Sequence, residues 1–216
     1  GRLADAKDGF EIAASSPEFR GAAWTELARM SLAAADDRAA MQFAGKALDA
    51  DAGNLDALGV AVVAARHLGS HYDHEMSLAR LEAADPLSHQ VRLERLVALP
   101  DPALASKLTA GIRSELPEQV LLELAAWYAD VGDFGVATQV LEAAGDQPEA
   151  LCWRALLAAD AKVAEGLMTR ANASSPRLVL PFRPEVVPAL QAAVRASSHW
   201  KPRYYLALAY WGMNRV

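Results

Sequence analysis

Apolar side chains recur along this chain at intervals of three and four residues, which is the spacing of one face of an α-helix. The first such segment runs from Leu3 to Ala14 and ends before a Ser-Ser-Pro sequence. Further segments follow, separated by short breaks rich in Gly, Pro, Ser and Asp, which are typical of turns. The pattern predicts an all-α protein built from consecutive short helices.

Two stretches of the pattern match at a distance of 34 residues. The first set is Trp24, Leu27, Ala28, Ala40, Ala44, Ala47 and Ala52. The matching set is Leu58, Ala61, Val62, His74, Leu78, Leu81 and Pro86. A large residue on one helix and small or apolar residues at i, i+4 and i+7 on the next allow two helix backbones to pack closely. The spacing therefore predicts a repeated helical hairpin.

We treat residues 1–216 as a single array and divide it at the breaks. Residues 1–20 form a partial repeat that resembles a second helix, 21–54 and 55–88 are regular repeats, and 118–149 is another. Residues 89–117 are a shortened, degenerate repeat with helices predicted over Ser88–Leu99 and Pro102–Leu116, on either side of the breaker at Pro100, Asp101 and Pro102. Residues 150–175 are a short helical pair. Residues 176–216 hold a Pro-rich extended crossover near 176–184, a helix, and the first helix of another repeat.

The repeating unit resembles the tetratricopeptide repeat (TPR), which implies an α-solenoid that serves as a binding surface. A narrower resemblance spans Asp85 to Gly212 and is carried by stretches such as ADPLSHQVRLERL and HWKPRYYLALAYWG. These resemble the C-terminal repeat region of large bacterial proteins that carry an N-terminal β-rich domain of unknown function. The resemblance implies that this chain is a fragment and that such a domain is its natural partner. It implies no catalytic residues.

Partner binding by a repeat array of this kind is expected on the concave side, where the first helices lie. The repeat phase places nine residues there: Thr25, Arg29, Asp56, Gly59, Val63, Arg66, Gln119, Leu122 and Ala126. TPR domains that clamp the C-terminal carboxylate of heat-shock chaperones carry Lys and Asn at such positions, whereas this chain has Thr25, Arg29, Gly59 and Val63. An apolar or mixed groove for a protein or peptide is therefore favoured over a carboxylate clamp.

His67, His71 and His74 have the spacing of metal ligands on one helix face. Gly69 and Ser70 interrupt that face at a predicted turn, so we favour a structural role over a metal site. In this interpretation His74 packs between helices and forms hydrogen bonds, while His71 is solvated. No metal and no cofactor is predicted.

The remaining chemistry-bearing residues are interpreted structurally. Cys152 follows the apolar pattern and is expected to be a buried thiol. Among the C-terminal aromatics, Tyr204 and Tyr205 must face different sides of one helix, and so must Tyr210 and Trp211, so at most some of them share a face with Trp200. These rings could stack on a sugar or a base, although core packing on one side and contact with a following helix on the other are favoured.

Arg183 and Glu185 near the crossover are the one polar pair predicted to have a structural role. No second carboxylate lies in a context that would match Glu185 for acid/base chemistry. The sequence also lacks a Gly-rich phosphate loop, a nucleophile elbow and a zinc-type cysteine set. The chain is therefore predicted not to be an enzyme.

The net charge of the chain and the distribution of its basic residues exclude further classes of function. The chain has a net charge of -6 at pH 7, and its basic residues are scattered, which argues against a nucleic-acid surface. Its apolar runs are too short to cross a bilayer. We therefore expect a cytoplasmic, non-catalytic scaffold for protein interaction. Two alternatives stay open: an accessory region of a carbohydrate-active protein, and a self-association module. The oligomeric state is not predicted.

Overall fold

The computed structural model describes residues 2–97 and 103–214. Within these ranges every regular element is helical, so the all-α prediction is confirmed. The predicted breaker at Pro100, Asp101 and Pro102 lies outside the described residues.

Thirteen α-helices and one short 3₁₀ turn make up the regular structure of the described ranges. In chain order they are α1 Arg2–Ala13, α2 Arg20–Ala33, α3 Asp37–Ala50, α4 Leu55–His67, α5 His71–Ala84, α6 His89–Val97, α7 Leu104–Ala110, α8 Pro117–Asp130, α9 Phe134–Ala143, α10 Pro148–Leu157, α11 Ala161–Ala173, the 3₁₀ turn Pro184–Val186, α12 Val187–Ala196 and α13 Trp200–Gly212.

The chain divides into two compact units. Unit 1 contains residues 1–101 together with Tyr128–Asp133. Unit 2 contains Pro102–Trp127 and Phe134–Val216. Because the division falls within α8, the last residues of that helix and the turn after it belong to unit 1.

Unit 1 is a succession of packed helices in which each helix from α1 to α5 contacts the next along the chain. α2 also contacts α4, as expected where the first helices of successive hairpins lie side by side. Small residues form the contact surface between α2 and α3: Ala28, Ala40, Ala44 and Ala47 are fully buried. A cluster that includes Leu58, Val62, Leu78 and Leu81 extends this core through α4 and α5, with Trp24 packed against it.

The two regular hairpins of unit 1 repeat in backbone as well as in sequence. α3 and α5 begin 34 residues apart, at Asp37 and His71. The turns before them contain Ala35 and Gly69, which both have a positive φ, of 59° and 67°. Both helices are followed directly by an Asp of extended backbone conformation, Asp51 and Asp85. The predicted 34-residue period is therefore also a period of the backbone.

Side-chain caps position the helix starts of this unit. The carboxylate of Asp36 accepts a hydrogen bond from the Ala39 amide at the start of α3. Asn54 accepts from the Ala57 amide at the start of α4, and its amide nitrogen also donates to the Thr25 hydroxyl on α2 at 3.0 Å. Each cap satisfies a backbone donor that the helix itself cannot pair.

In unit 2, α10 is the central helix and contacts α9, α11 and α12. Large residues such as Leu151, Leu190 and Tyr205 are fully buried there. The Lys201 ammonium group at the start of α13 donates to the carbonyls of Asn172 and Ser174, at 2.6 and 2.5 Å. These bonds cap the C-terminal end of α11.

Two predicted elements of unit 2 can be compared with the structure. The helix predicted over Pro102–Leu116 is wrong in length, because α7 ends at Ala110 and residues 111–116 are not helical. The extended crossover near 176–184 is confirmed: no helix forms between Ala173 and Pro184. Pro176, Pro181 and Pro184 lack backbone donors, and the residue before each is disfavoured in the α conformation.

Candidate functional site

The predicted concave residues of unit 1 lie on α2 and α4, and they differ widely in exposure. Thr25 is 5% exposed, and its hydroxyl donates to the Gly21 carbonyl at 2.9 Å. Gly59 and Val63 are buried as well. Asp56 is exposed to solvent at the start of α4. Burial by the chain itself therefore leaves fewer side chains open to a partner than the repeat phase predicted.

Arg29 is bound by carboxylates of its own unit. Its Nη2 atom donates to Asp130 Oδ2 at 2.5 Å, and Nη1 lies 3.6 Å from Glu26 Oε1. Asp130 belongs to the six-residue segment Tyr128–Asp133, which we call the inserted segment because it joins unit 1 from a distant part of the chain. The guanidinium is thus already paired with an anion.

Arg66 binds two carboxylates in the same way. Its Nε donates to Glu94 Oε2 at 2.8 Å and its Nη2 to Glu94 Oε1 at 3.3 Å, while Nη2 also donates to Asp133 Oδ2 at 2.6 Å. Burial would lower the pKa of Arg66, but the bonds to Glu94 and Asp133 raise it above its ordinary value. Arg66 therefore stays charged and connects α4, α6 and the inserted segment.

Glu94 is the centre of this cluster and was not predicted from the sequence. It is fully buried, and besides Arg66 it accepts a bond from the Tyr128 hydroxyl at 2.6 Å and contacts His74 Nε2 at 3.3 Å. Burial would raise the pKa of Glu94, but the bonds from His74, Arg66 and Tyr128 lower it below its ordinary value. A buried carboxylate with this many donors is held ionised.

The three histidines proposed as a minority metal site do not act together. His71 is exposed, as predicted. His74 is 5% exposed and bonds to Glu94, so it is packed and hydrogen-bonded as expected. His67 lies between Asp37 and Asp133, at 2.9 and 3.2 Å. Residues 2–97 and 103–214 contain no group of three or more His, Cys, Asp or Glu side chains arranged to hold a metal.

The geometry around His67 favours the imidazolium form. Both ring nitrogens contact carboxylate oxygens, which only accept hydrogen bonds when ionised. The bond to Asp133 raises the pKa of His67 above its ordinary value of 6.5, against the opposing effect of burial, and the bond to Asp37 adds to the rise. His67 thus joins α3 and α4 to the inserted segment.

The concave residues predicted in unit 2 lie on α8. Leu122 and Ala126 are buried, at 1% and 9% exposure. Gln119 is partly buried and forms a hydrogen bond to the Glu149 carboxylate. None of these three side chains projects fully into solvent.

Glu149, at the start of α10, is a second buried carboxylate that the sequence did not identify. It is 1% exposed and accepts a hydrogen bond from Gln147 Nε2 at 3.0 Å. Burial raises the pKa of Glu149 above its ordinary value, although Gln147, Gln119 and Arg183 act in the opposite direction. The amide donors at Glu149 offset the cost of burying an ionised carboxylate less fully than the charged donors at Glu94 do.

The predicted pairing of Arg183 with Glu185 is wrong. Arg183 Nη2 instead donates to Glu123 Oε2 on α8 at 3.3 Å, and Glu185 is exposed in the 3₁₀ turn. The fold of unit 2 brings Glu123, 60 positions earlier in the chain, close to the crossover. The Arg183 guanidinium also stacks on the neighbouring Phe182 ring, 4.9 Å from its centroid.

Cys152 is a free, buried thiol, as predicted. Burial raises its pKa to about 12, so the reactive thiolate is scarce at neutral pH. The residue lines a cavity of about 570 Å³ in unit 2, formed by α10, α11 and α12 and rich in alanine. We find no base paired with this thiol among the described residues.

The C-terminal aromatic residues are divided between two sides of α13, as predicted. Tyr205 is 1% exposed, whereas the adjacent Tyr204 is 42% exposed. Trp211 is 71% exposed, and Tyr210 is partly buried with its hydroxyl accepting a bond from Gln191 at 2.7 Å. Trp200 and Tyr204 meet edge to face with their ring centroids 5.7 Å apart.

Comparison with known proteins leaves the family of this chain unassigned. No protein-family model matches the sequence, and no curated protein matches it significantly. Across the residues that the structure describes, none of the helices has the length and apolar character needed to cross a bilayer. Interpretation of the function therefore depends on the geometry of the two units.

Proposed function

We propose that this protein is a non-catalytic scaffold of TPR-like helical hairpins that binds a partner protein or peptide. The observation that carries the proposal is the 34-residue repeat of unit 1, in which turn, helix start and helix end recur from α2–α3 to α4–α5. A repeated hairpin presents equivalent surface positions at a constant pitch, which suits contact with an extended partner. The mechanism is burial of surface and positioning, with no bond chemistry.

The distribution of charged groups supports this proposal over catalysis. The carboxylates of Glu94 and Asp133 are occupied by Arg66, and the Cys152 thiol is buried with a raised pKa. A general acid, base or nucleophile needs access to substrate. The buried polar groups of unit 1 thus have a positioning role within the fold.

Asp56 is the predicted concave residue best placed to contact a partner. It is exposed in the first turn of α4, one residue before Ala57 becomes fully buried, so its position is rigidly defined. Arg29 on α2 and Arg66 on α4 retain 26% and 20% side-chain exposure. A partner that contacts this face meets a fixed pattern of charge.

Site-specific photo-crosslinking tests the proposal. A photoreactive amino acid is placed at Asp56 on α4, and in a matched variant at Glu75, which is 57% exposed on α5. Each variant is irradiated in lysate of the source organism and with the recombinant upstream region of its gene. We expect a discrete adduct from position 56 and little from position 75. Equal labelling at both positions, or none at 56, would contradict binding by the first-helix face.

A further inference from the structure

Side chains of the crossover between α11 and α12 alternate between buried and exposed positions. Leu178, Leu180 and Phe182 are 67%, 62% and 50% exposed, whereas Val179 and Pro181 between them are buried. A period of two residues is that of a β-strand with one covered face, and it differs from the helical period of the elements on either side. The crossover therefore presents a row of large apolar side chains to solvent.

The backbone of the crossover has the course of a single strand. It neither turns nor coils between Val179 and Arg183, and Arg183 itself is extended, with φ −83° and ψ 131°. In an extended chain the N–H and C=O groups of every second residue point to the same edge, so Leu180 and Phe182 share one edge. The donor that Pro181 lacks belongs to the opposite edge and leaves this one uninterrupted.

This edge is not used by the fold. Among the residues that the structure describes, neither the N–H nor the C=O group of Leu180 or Phe182 has a hydrogen-bond partner. An extended segment with unpaired backbone donors and acceptors is a template on which another extended chain can pair. We call the backbone groups of Leu180 and Phe182 the crossover edge.

The start of the crossover has an unusual backbone conformation. Leu178 has a φ of +61°, in the left-handed region that favours glycine and that bulky residues rarely adopt. Because its side chain is exposed, burial of that side chain does not offset the strain. The conformation turns the chain into the crossover and leaves Leu178 accessible beside the crossover edge.

The charge of the crossover indicates what kind of segment it accepts. Residues 176–184 contain Arg177 and Arg183 and no acidic residue, although the whole chain has a net charge of -6. Arg183 is bound to Glu123, whereas Arg177 is exposed and forms no ion pair with a described residue. An acidic side chain on a partner would pair with Arg177. Two copies of the crossover would instead bring like charges together, which disfavours self-pairing.

We propose that the crossover edge binds an extended peptide segment of a partner protein by strand addition. Main-chain hydrogen bonds to Leu180 and Phe182 supply the affinity. Apolar β-branched or aromatic side chains of the segment pack beside these two residues, and an acidic side chain pairs with Arg177. The proposal uses residues of unit 2 alone and does not depend on the binding proposed for α4.

Selective N-methylation of a probe peptide tests the pairing. The probe is a short fluorescent peptide in which valine and threonine alternate, with one terminal glutamate whose contact with Arg177 fixes its direction. Two further versions carry N-methyl groups on alternate amides, each version on the opposite edge. An added strand bonds through one edge only, so one methylated version should bind more than about tenfold more weakly than the probe and the other nearly as well. Fluorescence anisotropy measures all three.

A pair of substitutions tests the same edge on the protein. Leu180→Pro removes one donor, and it should fold, because extended backbone suits proline and no hydrogen bond of the described fold uses that donor. Leu180→Ala is the matched control, since it shortens the side chain and keeps the donor. The proline variant should lose more than about tenfold in affinity for the probe and the alanine variant less than about threefold. Unchanged binding by Leu180→Pro would contradict the proposal.

Hydrogen exchange of the wild-type protein replaces this comparison if Leu180→Pro does not fold. The amides of Leu180 and Phe182 should exchange more slowly when the probe is present, and that of Val179 should not change. Loss of this difference would mean that the peptide does not pair with the crossover edge.

Three further outcomes would overturn the proposal. Absence of binding by the unmethylated probe at millimolar concentration shows that the crossover edge does not accept a strand. Equal binding by the two methylated versions shows that the peptide contacts an apolar patch without strand pairing. A wild-type mass that increases with concentration, while Leu180→Pro stays monomeric, shows that a second copy of the chain occupies the edge.

Discussion

At the scale of single residues, the buried ion pairs of unit 1 are its most consequential feature. Arg66 is bound to Glu94 and Asp133, and Glu94 has no exposure to solvent. An ion pair of this type is costly to break, because the remaining charge has no water to replace its partner. Residues predicted from the repeat phase as partner contacts thus contribute to the stability of the fold.

Arg66→Met tests this energetic role. We expect it to lower the free energy of unfolding by about 3–5 kcal/mol, because Glu94 would be left buried without its cationic partner. Arg95→Met is the matched control, since Arg95 pairs with Glu82 at the surface and is 57% exposed. The control should cost less than about 1 kcal/mol. Urea denaturation of both variants makes the comparison, and equal losses would contradict the structural role of Arg66.

His67→Gln is expected to destabilise the protein in a pH-dependent way. The pKa of His67 is raised in the folded state, so its stabilisation is complete below the ordinary value of 6.5 and is lost as pH rises through the folded value. The loss of free energy of unfolding should be roughly 1–2 kcal/mol at about pH 5.5 and should shrink towards pH 9. A loss that is constant with pH, or larger at high pH, would show that protonation of His67 does not matter.

At the scale of elements, the turn after α8 depends on a glycine for two separate reasons. Gly132 has a φ of +83°, which favours glycine. A Cβ atom at this position would also lie 3.1 Å from the Ala33 Cα and 3.2 Å from its carbonyl oxygen, at the end of α2. The inserted segment therefore approaches α2 so closely that a Cβ atom at this position would require the backbone at Ala33 to shift.

A pair of glycine substitutions separates these two reasons. Gly69→Ala, at a turn with φ +67° and open space around the position, should cost about 1–2 kcal/mol from backbone strain alone. Gly132→Ala should cost at least about 1 kcal/mol more, because backbone atoms of Ala33 must move. Thermal unfolding of the two variants measures the difference. Equal losses of stability in the two variants would mean that a Cβ atom at position 132 fits beside Ala33 without a clash.

At the scale of the whole molecule, each unit has one buried carboxylate among its described residues, and the two should respond oppositely to acid. The pKa of Glu94 in unit 1 is lowered, so its contribution to stability is lost as pH falls below 4.5 through the folded value. The pKa of Glu149 in unit 2 is raised, so its ionisation costs stability at neutral pH and that cost disappears as pH falls towards 4.5.

Native-state hydrogen exchange can measure the two units separately in one experiment. Between neutral pH and about pH 5, after correction for intrinsic exchange, protection of α10 is expected to increase relative to α4. Glu149→Gln should remove this increase, because glutamine stays neutral at every pH and can still accept the bond from Gln147. If α10 of this variant still gains protection relative to α4 as the pH falls, the increase does not come from Glu149.

The local helices and turns of this protein could be predicted because neighbouring residues determine them. The turn at Gly69 and Ser70 and the break at Pro176 both follow from short-range periodicity and backbone restrictions. The length of the helix at α7 was overestimated, since apolar spacing alone does not define where a helix ends.

The partners of the charged residues could not be predicted in the same way. Glu94 contacts Arg66 and His74, which lie 28 and 20 positions earlier in the chain. It also contacts Tyr128, which lies 34 positions later. Arg183 binds Glu123, which is 60 positions away, instead of Glu185. No local pattern specifies such pairs, because the free energy of burying a charge depends on which groups the fold brings together.

The helical class, the hairpin turns and the 34-residue period follow from local sequence, since propensity, glycine and proline placement and apolar spacing act over a few residues. The tertiary fold, in contrast, sets which side chains remain accessible. It buried Val63 and Leu122, and it paired Arg29 and Arg66 with the inserted segment. The reason is that exposure is a property of packed surfaces, and it is defined only when distant segments meet.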